Sequence, residues 1–144
     1  MANVTGLRDI THPEYVDGGE HRVIVLAACP VPDRAAGAPL LSGKIDINIL
    51  SGTRAAAAYG AGRTSEDFTC NYELNPAYAE TLTAGGLRIS GTSPDGGARV
   101  VELPSHPFYL ATGFLPQYGS APGNPHPLIT AFLAFAASEP EERS

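Results

Sequence analysis

The chain has 144 residues, 43% of them hydrophobic and 17% charged, a balance that suits one folded domain and is too apolar for a disordered chain. Its formal net charge of -6 offers no basic stripe to neutralise phosphates, which excludes nucleic acid and anionic membrane surfaces as expected partners. No apolar run approaches the roughly 18 residues of a spanning helix, and Cys29 and Cys70 have neither metal-site nor disulfide-framework spacing, so a cytoplasmic chain without metal or cofactor is expected.

Residues 1–21 read as an irregular lead-in, because Gly6, Pro13, Gly18 and Gly19 interrupt any apolar period. RVIVLAAC (22–29) is a continuous apolar run with β-branched residues, the pattern of a strand buried on both faces. A Pro- and Ala-rich loop (30–43) leads to KIDINIL (44–50), where Ile45, Ile47 and Ile49 alternate with Lys44, Asp46 and Asn48 as in a half-buried strand. SGTRAAAAYG (51–60) predicts a short helix capped by Ser51 or Thr53 and stopped by Gly60.

EDFTCNYEL (66–74) reads as one strand ending before Pro76, which opens a second helix that Gly85 closes. LRISGTSPDGGARVVEL (87–103) is a hairpin around a Ser-Pro-Asp-Gly-Gly turn. FYLATGFL (108–115) is a further apolar strand. NPHPLITAFLAFAAS (124–138) is the last helix, with Asn124 as its expected cap. Thr130 is its one polar residue between Leu128 and Ala137, so the helix should lie under another element or at a subunit contact. The expectation is a single domain over 1–138, with 139–144 as a solvated tail. Its class is α/β: β-rich, a mixed sheet with hairpins and a C-terminal helix.

Three passages carry a resemblance: NYELNPAYAETLTAGGLRISGTSPDG (71–96), VVELPSHPFYLATGFLPQ (100–117) and NPHPLITAFLAFAA (124–137). In this order they resemble the C-terminal half of the glutamine amidotransferase domain of CTP synthase, and SGTSPDG with ELPSHPF is the specific part of the match. The chain looks closer still to a group of short bacterial proteins related to the CTP synthase C-terminal region, some of them selenoproteins. That resemblance extends from Asn3 to Ala137, through GLRDITHPEY and SGTRAAAAYG.

The family implies a class I amidotransferase fold, in which a cysteine on a strand-to-helix turn attacks glutamine and a later histidine and glutamate activate it. The resemblance places Leu115 and Gln117 at those two later positions, and neither side chain takes a proton from a thiol near neutral pH. Neither cysteine has the flanking glycines of a nucleophile turn. The implied domain is a truncated one, without the nucleophile half and without glutaminase activity. The sheet edges and apolar helix faces left uncovered call for a homodimer or a separately encoded partner, with the last helix at the contact.

THPEY places His12 and Glu14 two residues apart beside Tyr15, on a segment read as a loop; they are candidates for general acid and base, or a solvated turn. Cys29 ends an apolar strand, where it serves either as a reactive thiol or as a small buried apolar residue. Arg54, Tyr72, Tyr109 and Gln117 are candidate ligand-binding groups, through a guanidinium fork, phenolic hydroxyls and a non-titrating amide. His106 and His126, each between prolines, match framework histidines of the family, suited to bonding backbone groups at turns. Two readings stay open: a repurposed enzyme acting on a small molecule by acid–base lyase, isomerase, cyclase or hydrolase chemistry, and a non-catalytic ligand-binding or scaffolding subunit.

Overall fold

The computed structural model describes residues 5–12, 21–27, 42–69 and 72–138. A five-stranded sheet runs through it, built from β2 (Ser42–Ile49), β3 (Arg63–Thr69), β5 (Arg88–Thr92), β6 (Ala98–Glu102) and β7 (Leu110–Thr112) in the order β3-β2-β5-β6-β7. β1 (Ile24–Leu26) and β4 (Tyr72–Leu74) pair as a separate two-stranded ribbon. Every pairing between these strands is antiparallel, and among the described residues the parallel contact is an isolated bridge between Ile10 and His21. Among the described residues helices form as α1 (Arg54–Tyr59), α2 (Ala79–Ala84) after a 3-10 turn at Pro76–Tyr78, and α3 (Pro127–Ser138). The α/β, β-rich class with a C-terminal helix is what the chain forms.

The sheet separates two apolar clusters, and β6 is the dividing strand. Successive side chains of a strand point to opposite faces, so neighbours Val100 and Val101 serve different cores. Val100 joins Ile47, Ile49, Ala55, Phe114 and Leu128 beneath α1 and α3. Val101 joins Val23, Leu74, Leu82 and Leu87 beneath the ribbon and α2. The alternation in KIDINI does what its period requires: Ile47 and Ile49 are buried, while Lys44 and Asp46 face solvent and pair with Asp67 and Arg63 across the β2–β3 ladder at 3.0 and 2.6 Å. These exposed pairs set register more than stability, at roughly 0–1 kcal/mol each.

α1 starts and stops as its sequence dictates. The Thr53 hydroxyl accepts from the Ala56 N–H, and Gly60 closes the helix at φ 65°, a left-handed conformation that costs glycine nothing. Its first two turn N–H groups are met by a distant side chain: both carboxylate oxygens of buried Glu102 accept from Arg54 N and Ala55 N, at 3.1 and 2.7 Å. An anion at a helix N-terminus is favourable, and this one also pins α1 to β6.

Several expected elements are corrected. EDFTCNYEL is not one strand: β3 stops at Thr69 and β4 begins at Tyr72, in different sheets, with Cys70 and Asn71 outside the described residues. Of the strand expected at 22–29, Ile24–Leu26 forms a three-residue strand paired with β4, half-buried with Leu26 66% exposed, and residues 28 and 29 lie outside the described residues. FYLATGFL holds only Leu110–Thr112 as strand; Phe114 leaves the ladder to fill the core under α3. The last helix begins at Pro127, and its cap is His126: the ring Nδ1 accepts from Leu128 N–H and the carbonyl from Thr130 N–H. Asn124 instead closes a small turn with Ala121. α3 is buried on one side only, against α1, while Phe132 and Leu133 are 51% and 59% exposed.

Gly91 is the tightest point of the sheet. It sits at a register shift between β5 and β6, and a Cβ there would lie 2.7 Å from Val100 Cγ2 and 3.1 Å from Ile47 Cγ2. Gly91→Ala is therefore expected to lower the unfolding free energy by about 1–3 kcal/mol, the usual cost of overpacking, as a lower urea midpoint at unchanged slope.

Candidate functional site

Among the described residues, a largely buried ion pair joins the ribbon to the main sheet. Arg99 of β6 lies on the Val101 face and donates from Nη2 to Glu73 Oε2 of β4 at 3.1 Å; each side chain is 11% exposed. Arg99 Nε also donates to Ser93 Oγ at 3.3 Å, and that hydroxyl donates to Asp95 Oδ1 at 2.5 Å. The Ser93 hydroxyl, then the Gly97 N–H, hold the Asp95 carboxyl below its ordinary range. The hairpin turn thus fixes the guanidinium from behind.

In front of this pair lies a cavity of about 270 Å³. Ile24, Leu74, Ala98, Val101 and Ala111 give it apolar walls, and His12, Tyr72, Glu73, Arg99 and Tyr109 supply its polar groups. The His12 and Tyr72 rings meet edge to face, with centroids 4.7 Å apart. Apolar walls with a few converging polar groups are the form of a small-molecule site. Tyr109 is 37% exposed and stands at its rim, shared with a second cavity.

That second cavity, of about 340 Å³, lies on the other face of edge strand β7 and is almost wholly apolar: Leu110, Pro116, Leu128, Ile129, Phe108 and Phe132 line it. Positions 115 and 117 flank it. The segment around them is fixed from below: Leu115 N–H donates to Asp67 O, and His126 N–H to Ser120 Oγ. Beneath, the His126 ring joins Glu66 Oε2 at 2.9 Å, both side chains almost fully buried. Since His126 Nδ1 accepts from Leu128 N–H, its hydrogen sits on Nε2 and is donated to Glu66. Tyr59 and Thr64 hydroxyls donate to the other oxygen, Oε1, at 2.7 and 3.0 Å. Burial first, then the bond to Glu66, pushes the Tyr59 phenol far above its ordinary value.

The structure thus brings together three of the residues singled out from the sequence, His12, Tyr72 and Tyr109, and keeps two apart from them. Arg54 lies on the α1 side, its guanidinium 5.5 Å from the Phe108 ring centre and its Nη2 donating to His106 O; its Nη1 is buried with no hydrogen-bond partner among the described residues. Gln117 is exposed on a 3-10 turn, Pro116–Gly119. Glu14 and Cys29 lie outside the described residues. Glu73 and Arg99 were not singled out from the sequence. A signal was available: each is a charge placed in a short strand beside apolar neighbours, where a strand facing a core should carry none. Among the described residues no group of three or more His, Cys, Asp or Glu side chains gathers as metal ligands, and no helix is long and apolar enough to cross a membrane.

Comparison with known proteins gives a consistent result. No family model matches the chain. The CTP synthase of Carboxydothermus hydrogenoformans is 40% identical over 132 residues, 91% of this chain and 25% of that protein. The CTP synthase of Chloroflexus aurantiacus is 38% identical over 136 residues, 94% of this chain and again 25% of the relative. Among solved structures, the glutaminase domain of Trypanosoma brucei CTPS with bound acivicin superposes with a TM-score of 0.85 at 32% identity, over 96% of this chain and 54% of that one. A putative GMP synthase component from Thermoplasma acidophilum shares the fold alone, at a TM-score of 0.52 and 16% identity. The fold is that of a class I glutamine amidotransferase-like domain. Within that class, the chain is related to the glutaminase region of CTP synthases and spans about a quarter of the length of these curated relatives.

Removing the His126 ring would strip the α3 cap and leave the Glu66 carboxylate buried without its main partner. His126→Ala should cost roughly 1.5–3 kcal/mol, the usual range for losing a hydrogen bond to a charged group, with His126→Gln recovering part of it in the same urea titration. Alkali adds a separate test. Because the Tyr59 phenol is raised in the folded state above the unfolded value near 10.0, its contribution is fully present below pH 10 and is lost as pH rises beyond it. Unfolding midpoints should fall above pH 10 in the native protein and fall less steeply in Tyr59→Phe.

Proposed function

We propose that this chain is an amidotransferase-like protein without glutaminase activity that binds, and through His12 acts on, a small molecule held in the cavity between β4, β6 and β7. One observation carries the reading: His12, Tyr72 and Tyr109 converge on the desolvated Glu73–Arg99 pair inside apolar walls. The resemblance to the family supports its negative half, since Leu115 and Gln117 stand where a proton-transferring pair would be needed, and an amide and an alkyl group do not titrate. His12 is the cavity group suited to moving a proton near neutral pH, with Glu14 of the same THPEY segment as its proposed partner and Cys29 as a proposed thiol. The second reading, a ligand-binding or scaffolding role without turnover, is favoured by the cavity having only one such group among the described residues.

The uncovered faces lead to a proposal about assembly. Among the described residues β7 is an edge of the sheet, and Phe132 and Leu133 lie exposed on α3 nearby. Such a surface is protected by association, and a second copy of the chain, or a separately encoded partner, is the proposed cover. Native mass spectrometry at micromolar concentration should give a dimer that Leu133→Asp dissociates; a monomeric native chain removes the homodimer from the proposal.

Function is tested by thermal shift against a panel of neutral and charged metabolites. A ligand that binds only the folded state at about 100 times its Kd adds about 2.7 kcal/mol of stability. At least one compound should raise the midpoint of the wild-type chain, and Tyr109→Ala, a half-exposed rim position, should abolish that rise without unfolding the protein. Turnover of such a compound that His12→Ala abolishes supports the enzyme; binding without turnover supports the non-catalytic role. Ammonia released from glutamine by the purified chain overturns the reading.

A further inference from the structure

The last helix has two apolar sides, and the chain covers one of them. Leu128, Ala131 and Phe135 recur at the spacing of one helix face; Leu128 is buried in the core beside Ala55 of α1, and the half-buried Phe135 lies against the Phe108 ring, centroids 5.4 Å apart. Thr130, Leu133, Ala134 and Ala137 recur at the same spacing on the opposite side, and all four are exposed. A surface helix normally carries charged or strongly polar residues there. We infer that this outer face of α3 docks the same face of a second copy of the chain, antiparallel about a two-fold axis. The inference rests on the assembly proposed above and commits it to one partner and one contact.

Charge selects the partner. No Asp, Glu, Lys or Arg occurs from Leu103 to Ser138, so the 15 acidic and 9 basic residues all lie elsewhere in the chain. Within that uncharged stretch Tyr118, Phe132 and Leu133 are each more than half exposed. Arg54 of α1 reaches only the inner side, over the Phe108 ring, where its Nη2 donates to His106 O. Two chains that each carry a formal net charge of -6 repel one another through most of their surfaces. Contact through the outer face of α3 sets no fixed charge opposite another. An unlike partner chosen by charge would be steered to the acidic surface instead, and this face offers no charge to fix its register.

The order of residues makes the face complementary to itself. Positions 130, 133, 134 and 137 are spaced symmetrically about the midpoint between Leu133 and Ala134. In a two-fold contact, residue i of one copy meets j of the other and j meets i. With the axis at that midpoint, Leu133 of each copy lies over the partner's Ala134, and Thr130 over the partner's Ala137. Each leucine thus enters the space beside a small residue, twice over, which is how helix ridges fill facing grooves. The helix has 12 residues and is about 18 Å long, so this contact is smaller than a standard interface and should be reversible in the micromolar range.

The test measures self-association of the intact chain by analytical ultracentrifugation. The native chain should dimerise, with an affinity that holds or rises between about 0.02 and 0.5 M salt, because screening relieves only the repulsion of two net-negative chains. Leu133→Asp and Ala134→Arg should each weaken the dimer at least about tenfold, since each buries a charge in an apolar contact. Mixed together, the two variants should pair more tightly than either does with itself, because the two-fold sets the new carboxylate against the new guanidinium. Leu26→Asp, at an exposed apolar residue of the ribbon, should leave the dimer intact. Urea midpoints check that the variants fold; should one fail, the native chain's association and its salt response decide alone. A native chain that stays monomeric up to about 100 μM overturns the second-copy inference and leaves a separately encoded partner standing. A dimer that survives Leu133→Asp, or that salt weakens, overturns the α3 contact while leaving the homodimer, and a mixture that does not pair overturns the antiparallel arrangement.

Discussion

The Glu73–Arg99 pair is the contact on which the arrangement of the molecule turns. Among the described residues the two-stranded ribbon has no ladder bonds to the main sheet, and the second apolar cluster and this ion pair attach it there. Buried pairs of this kind add little net stability over a well-packed apolar substitute, because both charges must be desolvated. What they do supply is orientation, since breaking one strands the other charge at a cost of roughly 3–5 kcal/mol. The ribbon is thereby held at one position over β6, and the space it leaves beside β7 is the cavity. Fold and candidate site share a single interaction.

Three other acids are explained within the fold, Glu102 and Glu66 buried and Asp95 exposed. Glu102 serves the N-terminus of α1 with both oxygens, Glu66 accepts from His126, Tyr59 and Thr64, and Asp95 holds the Ser93 hydroxyl that supports Arg99. Each is a carboxylate whose lone pairs are largely occupied by neighbours, so the burial of Glu102 and Glu66 needs no catalytic explanation. The His126–Glu66 pair is the instructive one, because a buried histidine against a carboxylate resembles half of a catalytic triad. Its geometry argues otherwise. Nδ1 is engaged by the Leu128 N–H and Nε2 by Glu66, which leaves no ring nitrogen free for a substrate. It is a structural joint between β3 and α3.

Much of this could be read along the chain, and the failures follow a rule. Local signals were reliable: the isoleucine alternation of β2, the Thr53 cap and Gly60 stop of α1, Pro76 opening the turn before α2, and the hairpin around Asp95 all depend on residues within one turn or strand. Non-local choices were not legible. Nothing in EDFTCNYEL indicates that its halves belong to different sheets, since that depends on which strands lie beside each half. The cap of α3 was assigned to Asn124 by residue preference, whereas His126 holds it because Glu66, sixty positions away, fixes the other side of its ring. Of the candidate site, His12, Tyr72 and Tyr109 were legible as chemistry-bearing types, yet the pair that organises them was not. Arg99 and Glu73 are twenty-six positions apart, and only the packing of β4 on β6 makes them partners.

Edge strand β7 separates what the family resemblance concerns from what the proposed site uses. Leu110 faces one way, toward the apolar cavity beside Pro116, and Ala111 faces the other, toward His12 and Arg99. The positions the resemblance assigns to the family's proton-transferring pair, Leu115 and Gln117, follow β7 on the apolar side. That face is a largely apolar pocket whose polar lining residues are Tyr109 and Thr112, while the opposite face holds charge, aromatic rings and a histidine in one cavity. Substitution on one face of a strand does not disturb side chains on the other, because the pleat keeps them about a strand's thickness apart. A chain of this fold can therefore shed one chemistry and hold another without rebuilding its sheet, and the polar face of β7 is where the second would reside.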